Sequence, residues 1–222
     1  MVIGHREDGT PSEMDFYYGR ISGNSARAAF GIFESGAPFT AHLVDTRRGE
    51  HHSPDYLALN PVGKVPALVD EAFRLWESNA INWYVAEKFP AARLLPASID
   101  GRAAVQRWLF FQAAHVSPSC TALFRATNRR SQAFWGVTGD AQAAGVARTE
   151  LARWLPVLEQ GLEDRDWLEL EFSLADVAYA PHLYLVEEGG FDFSPYPRVH
   201  AWLKRLEARP AWQETIELIF SG

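Results

Sequence analysis

One change of pattern constrains the fold of this chain more than any other feature. Up to about residue 90, short strand patterns alternate with helix patterns, whereas only helix patterns follow Pro96. Such segregation of strands and helices predicts two packed subdomains. We therefore expect an α/β domain at residues 14–90 and an all-helical domain at residues 91–222. Residues 1–13 are polar and contain Gly, Pro and Ser, which indicates a loose arm.

The α/β region is expected to form a small mixed sheet covered by helices. A helix between the first two strands predicts a right-handed crossover and therefore parallel pairing. The hairpin-length link at residues 70–72 predicts that the last two strands are antiparallel. The expected strands are residues 14–18, 39–44, 65–69 and 73–76, and the expected helices are residues 25–35, 54–59 and 78–88.

The second half is expected to contain four helices, at residues 102–120, 139–162, 174–187 and 198–208. Pro118 is expected to kink or end the first of them. Ser173 and Asp176 have the spacing of a capping box at the start of the third helix. We interpret this pair as a folding device and not as a catalytic site.

Composition and charge exclude several classes of function. The net charge of −7 argues against a general nucleic-acid binder. No apolar run is long enough to span a membrane, and the first residues lack the apolar core of a secretory signal. The single cysteine, Cys120, can form neither an intrachain disulfide nor a multi-cysteine metal site. These features predict a cytoplasmic protein with no metal, no membrane and no nucleic-acid partner.

The first candidate site is the junction between the first strand and the first helix. Ser22, Asn24 and Ser25 stand there, and each can donate a side-chain hydrogen bond. A helix N-terminus favours anions, thiolates included, because its N–H groups are unpaired and partly positive. The alternative is an ordinary helix cap, for which Ser and Asn are the preferred residues. No cysteine lies in residues 14–27, so the turn carries no redox thiol.

The second candidate site is the segment that leads into the third strand. Two prolines, Pro61 and Pro66, bracket a glycine turn and Lys64. A cis bond between Val65 and Pro66 would turn the Val65 backbone N–H and C=O outward, where they could pair with the peptide group of a ligand. The alternative is a plain turn into an edge strand.

The third candidate site is the junction between the fourth strand and the helix at residues 78–88. Ser78 at the helix start makes backbone N–H groups available to a carboxylate, and Glu77 supplies a negative charge beside them. A ligand group with both a carboxylate and an ammonium, such as the α-amino acid end of a peptide, would fit this pair. The alternative is a capped helix whose Glu complements the helix dipole.

Together these motifs resemble the cytosolic glutathione transferase superfamily. Residues 57–68 (LALNPVGKVPAL) are similar to that family's loop before the cis-proline, residues 75–81 (LWESNAI) to its glutamyl-binding turn, and residues 172–178 (FSLADVA) to its C-terminal capping box. The resemblance implies a thioredoxin-like N-terminal domain followed by an all-helical C-terminal domain. It also implies glutathione as co-substrate and assembly as a homodimer.

The resemblance also implies roles for individual residues. The cysteinyl backbone of glutathione would be held by Val65 beside Pro66, and the glutamyl end by Glu77 and Ser78. The glycyl end would meet His51 and Lys64. At the first turn the sequence resembles bacterial members in which a Ser and an Asn two residues on, here Ser22 and Asn24, face the sulfur, with Ser25 as the rival.

The resemblance leaves three functions open. The first is a transferase that conjugates glutathione to a small hydrophobic electrophile. The second is a glutathione-dependent disulfide or peroxide reductase, and the third is a non-catalytic glutathione-binding interaction module. Trp108, Phe111, Gln112 and His115 are candidates for the electrophile wall, with core packing as the alternative for the same spacing.

Overall fold

A computed structural model describes residues 13–221, so that Glu13 alone of the predicted arm is described and residues 1–12 lie outside the described part of the chain. The chain forms two compact units. Of the described residues, the first unit contains residues 13–93 together with residues 214–221, and the second is Leu94–Gln213.

The first unit is an α/β layer built on a four-stranded sheet. Its elements are β1 (Met14–Tyr18), α1 (Gly23–Ser35), β2 (Phe39–Leu43), α2 (Pro54–Leu59), β3 (Ala67–Asp70), β4 (Phe73–Trp76) and α3 (Ser78–Lys88), with 3-10 turns at Glu50–His52 and Pro90–Ala92. The strand order is β2-β1-β3-β4. The pairing of β1 with β2 is parallel and that of β3 with β4 is antiparallel, as predicted.

Alternation along β1 explains where the core of this unit lies. Met14, Phe16 and Tyr18 point to the buried face, whereas the two residues between them are partly exposed. The helices α1 and α3 pack on each other and bury Phe30 and Ile81 completely. Strand β3 begins two residues later than predicted because Pro66 has no N–H to donate to the sheet.

The second unit is all-helical. Its helices are α4 (Ile99–Phe111), α5 (Ser117–Thr127), α6 (Arg129–Trp135), α7 (Ala141–Gly161), α8 (Leu174–Val177), α9 (Ala180–Glu188) and α10 (Pro197–Glu207). A last helix, α11 (Pro210–Phe220), begins in this unit and ends in the first. Trp202, Tyr179 and Leu155 are fully buried and form part of its core.

Three helix predictions differ from the structure. The helix predicted at residues 102–120 extends from Ile99 to Thr127, because a π-helical turn at Gln112–Val116 joins α4 to α5. Pro118 does not end it, since it lies in the first turn of α5, where a missing N–H is tolerated. The segment predicted as one helix at residues 174–187 is two helices, α8 and α9.

Two further helices, α6 and α11, were not predicted. The end of α11 also departs from the predicted domain division, since the backbone N–H of Ile21 donates to the Ile219 carbonyl at 3.2 Å and Arg20 donates to the Ser221 carbonyl at 2.6 Å. These contacts attach the C-terminal segment to the α/β unit. Within residues 13–221, no helix is long and apolar enough to cross a membrane.

Candidate functional site

The register of the sheet brings the three predicted motifs to one edge. Tyr17 near the end of β1 is paired with Ala67, the first residue of β3, and Ala67 is paired with Trp76, the last residue of β4. The β1–α1 turn, the segment before β3 and the β4–α3 junction therefore all leave the sheet at the same edge. Motifs that are up to 56 residues apart in the chain, from Ser22 to Ser78, become neighbours in this way.

At the β1–α1 turn, Ser22 is the N-cap of α1. Its hydroxyl oxygen accepts a hydrogen bond from the Ser25 backbone N–H at 3.1 Å. Because the backbone N–H is the donor, the hydroxyl proton of Ser22 stays available for an acceptor outside the turn. Capping and ligand binding are therefore compatible roles for this side chain, which is partly exposed.

The other two candidates at this turn differ in accessibility. Ser25 is fully buried, and its hydroxyl accepts from the Gly19 backbone N–H at 3.1 Å. This burial argues against Ser25 as the residue that contacts a ligand and makes it a support of the turn. Asn24 is exposed on the first turn of α1.

The segment before β3 lies directly against the β1–α1 turn. The Val65–Pro66 peptide bond is cis. Gly19 approaches Val65 so closely that a Cβ atom on the glycine would lie 2.8 Å from Val65 Cγ2. A larger residue at position 19 would therefore separate the two segments. Val65 is half-buried, whereas Pro66 is buried.

Two side chains fix the backbone just before Val65. The Tyr56 hydroxyl and the Asn60 amide nitrogen both donate to the Lys64 carbonyl oxygen, each at 2.6 Å. Burial raises the pKa of Tyr56 to about 12, so it remains a protonated donor at neutral pH. This clamp holds the peptide group that precedes Val65 and leaves the Lys64 side chain exposed.

The predicted glycyl-binding residues lie beside that clamp. A Cβ atom on Gly63 would lie 2.9 Å from His52 Nδ1 and 3.3 Å from the His51 carbonyl oxygen, so the histidine pair contacts the loop that carries Lys64. Burial, and to a smaller extent the neighbouring His52, lower the pKa of His51. His51 Nδ1 is buried without a hydrogen-bonding partner among the described residues.

At the β4–α3 junction, Glu77 and Ser78 have opposite environments. Glu77 is exposed and adopts a positive φ of 72°, which an L-residue rarely adopts. Ser78 is only 3% exposed, and its hydroxyl oxygen accepts a hydrogen bond from the Arg27 guanidinium at 2.9 Å. This hydrogen bond links α1, which contains Arg27, to α3, which contains Ser78. A second link between the two helices comes from Asn82 of α3, whose amide donates to the Arg27 carbonyl at 2.8 Å.

The sequence interpretation missed Arg27 and gave no role to Tyr56. One signal could have identified Arg27, because it is the single charged residue in the otherwise apolar run from Ala26 to Ile32. A charged residue in such a run is rarely buried without a specific partner. Tyr56 gave no comparable signal, since an aromatic residue in a short helix is usually core.

The predicted electrophile residues lie in the helical unit and only partly converge. The Trp108 and Phe111 ring centroids are 6.1 Å apart, and those of Phe111 and His115 are 5.4 Å apart. Trp108 is buried, and its indole N–H donates to Glu169 at 2.8 Å. Gln112 is fully buried, which argues against a place on any ligand-facing wall.

One cavity of about 580 Å³ lies in the helical unit beside these residues. His115 and Trp154 line it, with ring centroids 4.5 Å apart, and the lining also includes Glu150 and Asp140. Of the four predicted residues, His115 alone is among those that line it. Among residues 13–221, no group of three His, Cys, Asp or Glu side chains is arranged to hold a metal ion.

Fold and site define a thioredoxin-like domain with three loop motifs at one sheet edge, followed by an all-helical domain. The model of the glutathione S-transferase N-terminal domain matches residues 12–87, and that of the C-terminal domain matches residues 110–210. The chain therefore belongs to the glutathione S-transferase family of enzymes.

Relatives and a solved structure agree with this assignment. The chain is similar to glutathione S-transferase F10 of Arabidopsis thaliana, with 34% identity over 89% of this chain and 94% of the relative. It is also similar to glutathione S-transferase 3 of Zea mays, with 36% identity over 90% of this chain and 91% of the relative. The structure of glutathione S-transferase-I bound with lactoylglutathione aligns with a TM-score of 0.85 and 26% identity, over 94% of this chain and all of that one. The resemblance of the first turn to bacterial members stays a prediction.

Proposed function

We propose that this chain binds glutathione at the sheet edge and conjugates it to a small hydrophobic electrophile. The observation that carries the proposal is the convergence of Ser22, Val65 and Ser78 at one edge through the register of β1, β3 and β4. Glutathione offers a thiol, an internal peptide group and an α-amino acid end, and each of the three motifs suits one of them. The bound glutathione derivative in a structural relative supports this choice of ligand.

Val65 would bind the cysteinyl part of glutathione through its backbone. An extended peptide can pair with the free N–H and C=O of a segment beside a sheet, much as an added strand does. The Tyr56 and Asn60 hydrogen bonds to the Lys64 carbonyl supply the rigidity that such pairing needs. The exposed Lys64 ammonium and the neighbouring His51 would meet the glycyl carboxylate.

Glu77 and Ser78 would bind the glutamyl end. The exposed Glu77 carboxylate would pair with the ammonium, and the start of α3 with the Ser78 hydroxyl would receive the carboxylate. A positive φ at Glu77 supports this function, because backbone strain persists most often at ligand sites.

Ser22 would stabilise the thiolate of bound glutathione. A free thiol has a pKa of about 8.5, and a decrease of roughly two units requires about 2.7 kcal/mol of preference for the charged form. The Ser22 hydroxyl, the Asn24 amide and the N-terminus of α1 would together supply that preference. The thiol proton leaves to solvent, the sulfur forms a bond to the electrophilic carbon, and the leaving group departs with its electron pair.

For the electrophile we propose the aromatic cluster formed by Trp108, Phe111 and His115 in the helical unit. The partly exposed Phe111 ring and the exposed His115 ring supply the surface that suits a hydrophobic substrate, and the buried Trp108 packs against Phe111 and supports it. Gln112 is fully buried, so we leave it out of the proposed electrophile site.

Calorimetry tests the binding site. Glu77→Ala and Ser78→Ala should each weaken glutathione binding by about 1–3 kcal/mol, because each leaves a polar partner on the ligand unpaired. Glu71→Ala is the control, since Glu71 lies in the β3–β4 turn at the opposite end of the strands and carries the same charge. Unchanged affinity in both site variants would refute the proposed site.

A substrate comparison tests the reaction. An activated aryl chloride should react with glutathione faster in the presence of this protein than a small disulfide does. Preference for the disulfide would indicate a reductase instead. Absence of both activities with intact glutathione binding would indicate a binding module.

We also propose that the protein is a cytoplasmic homodimer. The edge strand β4 leaves Phe73 and Trp76 substantially exposed, and exposed apolar side chains on an edge strand are typical of an interface. Light scattering should give about twice the chain mass of 24.9 kDa, since a two-fold pair is the commonest soluble assembly. A mass of one chain at micromolar concentration would contradict the dimer.

A further inference from the structure

The end of α11 lies against the turn between β1 and α1. The Ile21 backbone N–H donates to the Ile219 carbonyl oxygen at 3.2 Å, and the Arg20 guanidinium donates to the Ser221 carbonyl oxygen at 2.6 Å. The two residues that directly precede the N-cap of α1 are therefore both hydrogen-bonded to a segment that is distant in the sequence. We call this segment, residues 219–221, the strap.

The strap is itself anchored in the α/β unit. Ile219 is fully buried and Phe220 is only 4% exposed. The Ser221 backbone N–H donates to the Ile216 carbonyl oxygen at 3.0 Å, which ties the last residue of the strap to α11. Because the strap is held by buried side chains and a backbone hydrogen bond, it can fix the turn rather than follow its motion.

The backbone of Ile21 has a conformation that its own side chain disfavours. Its φ is 53°, and among the non-glycine residues of positive φ in the described part of the chain it alone is β-branched. Such a conformation persists only where the surrounding structure over-determines it. The Ile21 side chain is 8% exposed and its N–H bonds to the strap, so the strap supplies part of this constraint.

A change of φ at Ile21 would move Ser22, because residue 21 joins the end of β1 to the N-cap of α1. Gly19, on the other side, is held independently, since its N–H donates to the buried Ser25 hydroxyl at 3.1 Å. The strap thus contacts the two residues of the turn that Ser25 does not hold. A hydrogen bond from the Ser22 hydroxyl would weaken steeply with misalignment, so a small displacement is enough to lose it.

We propose that the strap positions the Ser22 hydroxyl for the thiolate of bound glutathione, and that Arg20 is the positioning residue that fastens the strap to the turn. This inference rests on the role of Ser22 in the proposed function. Arg20 acts through Ser22 without touching the ligand. Release of the strap should therefore raise the pKa of the bound thiol, while the proposed contacts of Val65, Glu77 and Ser78 with glutathione remain.

Arg20→Met tests the proposal, because methionine retains an apolar stem but donates no hydrogen bond. If the pKa of the bound thiol rises by about one unit from about 6.5, the thiolate fraction at pH 7 falls about threefold. Turnover should therefore fall about threefold at pH 7, approach that of wild type above about pH 9, and leave the KM for glutathione within about twofold. Steady-state kinetics with an activated aryl chloride across pH measures all three quantities. Arg20→Lys keeps a donor and should restore the wild-type profile.

Arg205→Met is the matched control. Arg205 belongs to the helical unit and likewise donates to a backbone carbonyl, that of Asp166, at 3.0 Å. The pH–rate profile of this variant should coincide with that of wild type. A profile that moves equally in Arg20→Met and Arg205→Met would overturn the proposal. A loss of turnover in Arg20→Met that is the same at every pH would also overturn it, because it would mean a purely structural role.

A double-mutant cycle shows whether Arg20 acts through Ser22. If it does, Arg20→Met made in the Ser22→Ala background should reduce turnover at pH 7 by less than about 1.5-fold further. A further threefold reduction would mean that the Arg20 charge acts on the thiolate directly, and it would refute a positioning role.

A change in the strap tests the same contact from the other side. Ser221→Pro leaves the Arg20 guanidinium in place, but it removes the N–H that bonds to Ile216 and disfavours the helical conformation of Phe220. The pH–rate profile should move to higher pH, as in Arg20→Met, whereas Ser221→Ala keeps the backbone carbonyl and should leave the profile unmoved. Circular dichroism verifies folding. A folded Ser221→Pro protein with the wild-type profile would contradict the inference.

The same measurements separate a failure of this inference from a failure of the proposed function. If Ser22→Ala moves the profile and neither Arg20→Met nor Ser221→Pro does, the strap has no positioning role. If Ser22→Ala itself leaves the profile unmoved, Ser22 does not stabilise the thiolate, and its role in the proposed function is refuted together with the inference.

Discussion

Two helices in this protein have a serine as their N-cap, but the two serines lie in different environments. Ser22 begins α1 in the α/β unit and Ser173 begins α8 in the helical unit, and each hydroxyl accepts a hydrogen bond from a backbone N–H. Ser22 is partly exposed, whereas Ser173 is 2% exposed and belongs to a complete capping box with Asp176.

The difference lies in what surrounds each cap. The Asp176 carboxylate is fully buried and accepts from the backbone N–H groups of Leu168 and Ser173 and from the Trp202 indole, at 2.9–3.0 Å. Its acceptor sites are thus committed inside the fold. Ser22 faces no such acid, and its hydroxyl proton remains available. The comparison teaches that accessibility, which the sequence of a cap motif does not encode, is what leaves a capping hydroxyl able to contact a ligand.

The largest effect is expected at the buried cap. Asp176→Ala should lower the free energy of unfolding by about 3–4 kcal/mol at neutral pH, because three buried donors lose their acceptor. Urea denaturation followed by tryptophan fluorescence measures it. Asp140→Ala removes an exposed N-cap from α7 and should cost only about 1 kcal/mol. Equal losses in the two variants would contradict the contrast between a buried and an exposed cap.

The exposed cap should affect turnover more than stability. Ser22→Ala should reduce turnover about 10–1000-fold at neutral pH, because the thiolate loses a donor, and should move the pH–rate profile to higher pH. Its cost in stability should be about 1 kcal/mol. Steady-state kinetics across pH provides the measurement.

The control for Ser22 is a second serine cap. Ser98→Ala removes the same kind of hydrogen bond, to the Gly101 N–H at 3.1 Å, from the start of α4. It should cost similar stability and leave turnover unchanged. If Ser22→Ala behaves like Ser98→Ala, then Ser22 is a cap and no more.

The pH dependence of stability should reveal the burial of Asp176. Burial raises the pKa of Asp176 to about 6, although hydrogen bonds from Leu168, Ser173 and Trp202 favour the charged form. The folded protein therefore holds this proton more tightly than the unfolded chain, so the group stabilises the fold below about pH 4 and loses that contribution as the pH rises to about 6. The stability advantage of wild type over Asp176→Asn should shrink by about 2–3 kcal/mol over this interval. If the stability advantage of wild type over Asp176→Asn instead grows with pH, the hydrogen bonds to the Asp176 carboxylate outweigh the effect of its burial on the pKa.

The smallest effects are expected at the neighbours of Ser22. Asn24→Ala should reduce turnover only a few-fold, roughly 2–5-fold, because Asn24 is an exposed second donor. Ser25→Ala should lower the free energy of unfolding by about 1–2 kcal/mol through the lost Gly19 hydrogen bond. Kinetics and urea denaturation of both variants provide the measurements. A larger loss of turnover in Asn24→Ala than in Ser22→Ala would transfer the main donor role to Asn24.

Much of the α/β unit was predictable because its signals are local. Strand lengths, the crossover helix and the short β3–β4 link predict parallel and antiparallel pairing, and both predictions are confirmed. The antiparallel pairing of β1 with β3, which was not predicted, is what brings the three motifs to one edge. The helical unit was less predictable. Its helix boundaries shifted where a π-helical turn continued α4 into α5 and where α6 and α11 carried no clear periodic signal.

The sequence by itself determined the fold class, the capping box at Ser173 and the three motifs that suggest a glutathione site. Only the tertiary structure decided that Ser25 is buried while Ser22 is accessible, that Gln112 is internal, and that Arg27 lies behind Ser78, 51 positions further along the chain. The physical reason is the range of the interactions. Caps, turns and strand alternation act between residues a few positions apart, whereas burial and hydrogen-bond partners between helices depend on how distant segments pack.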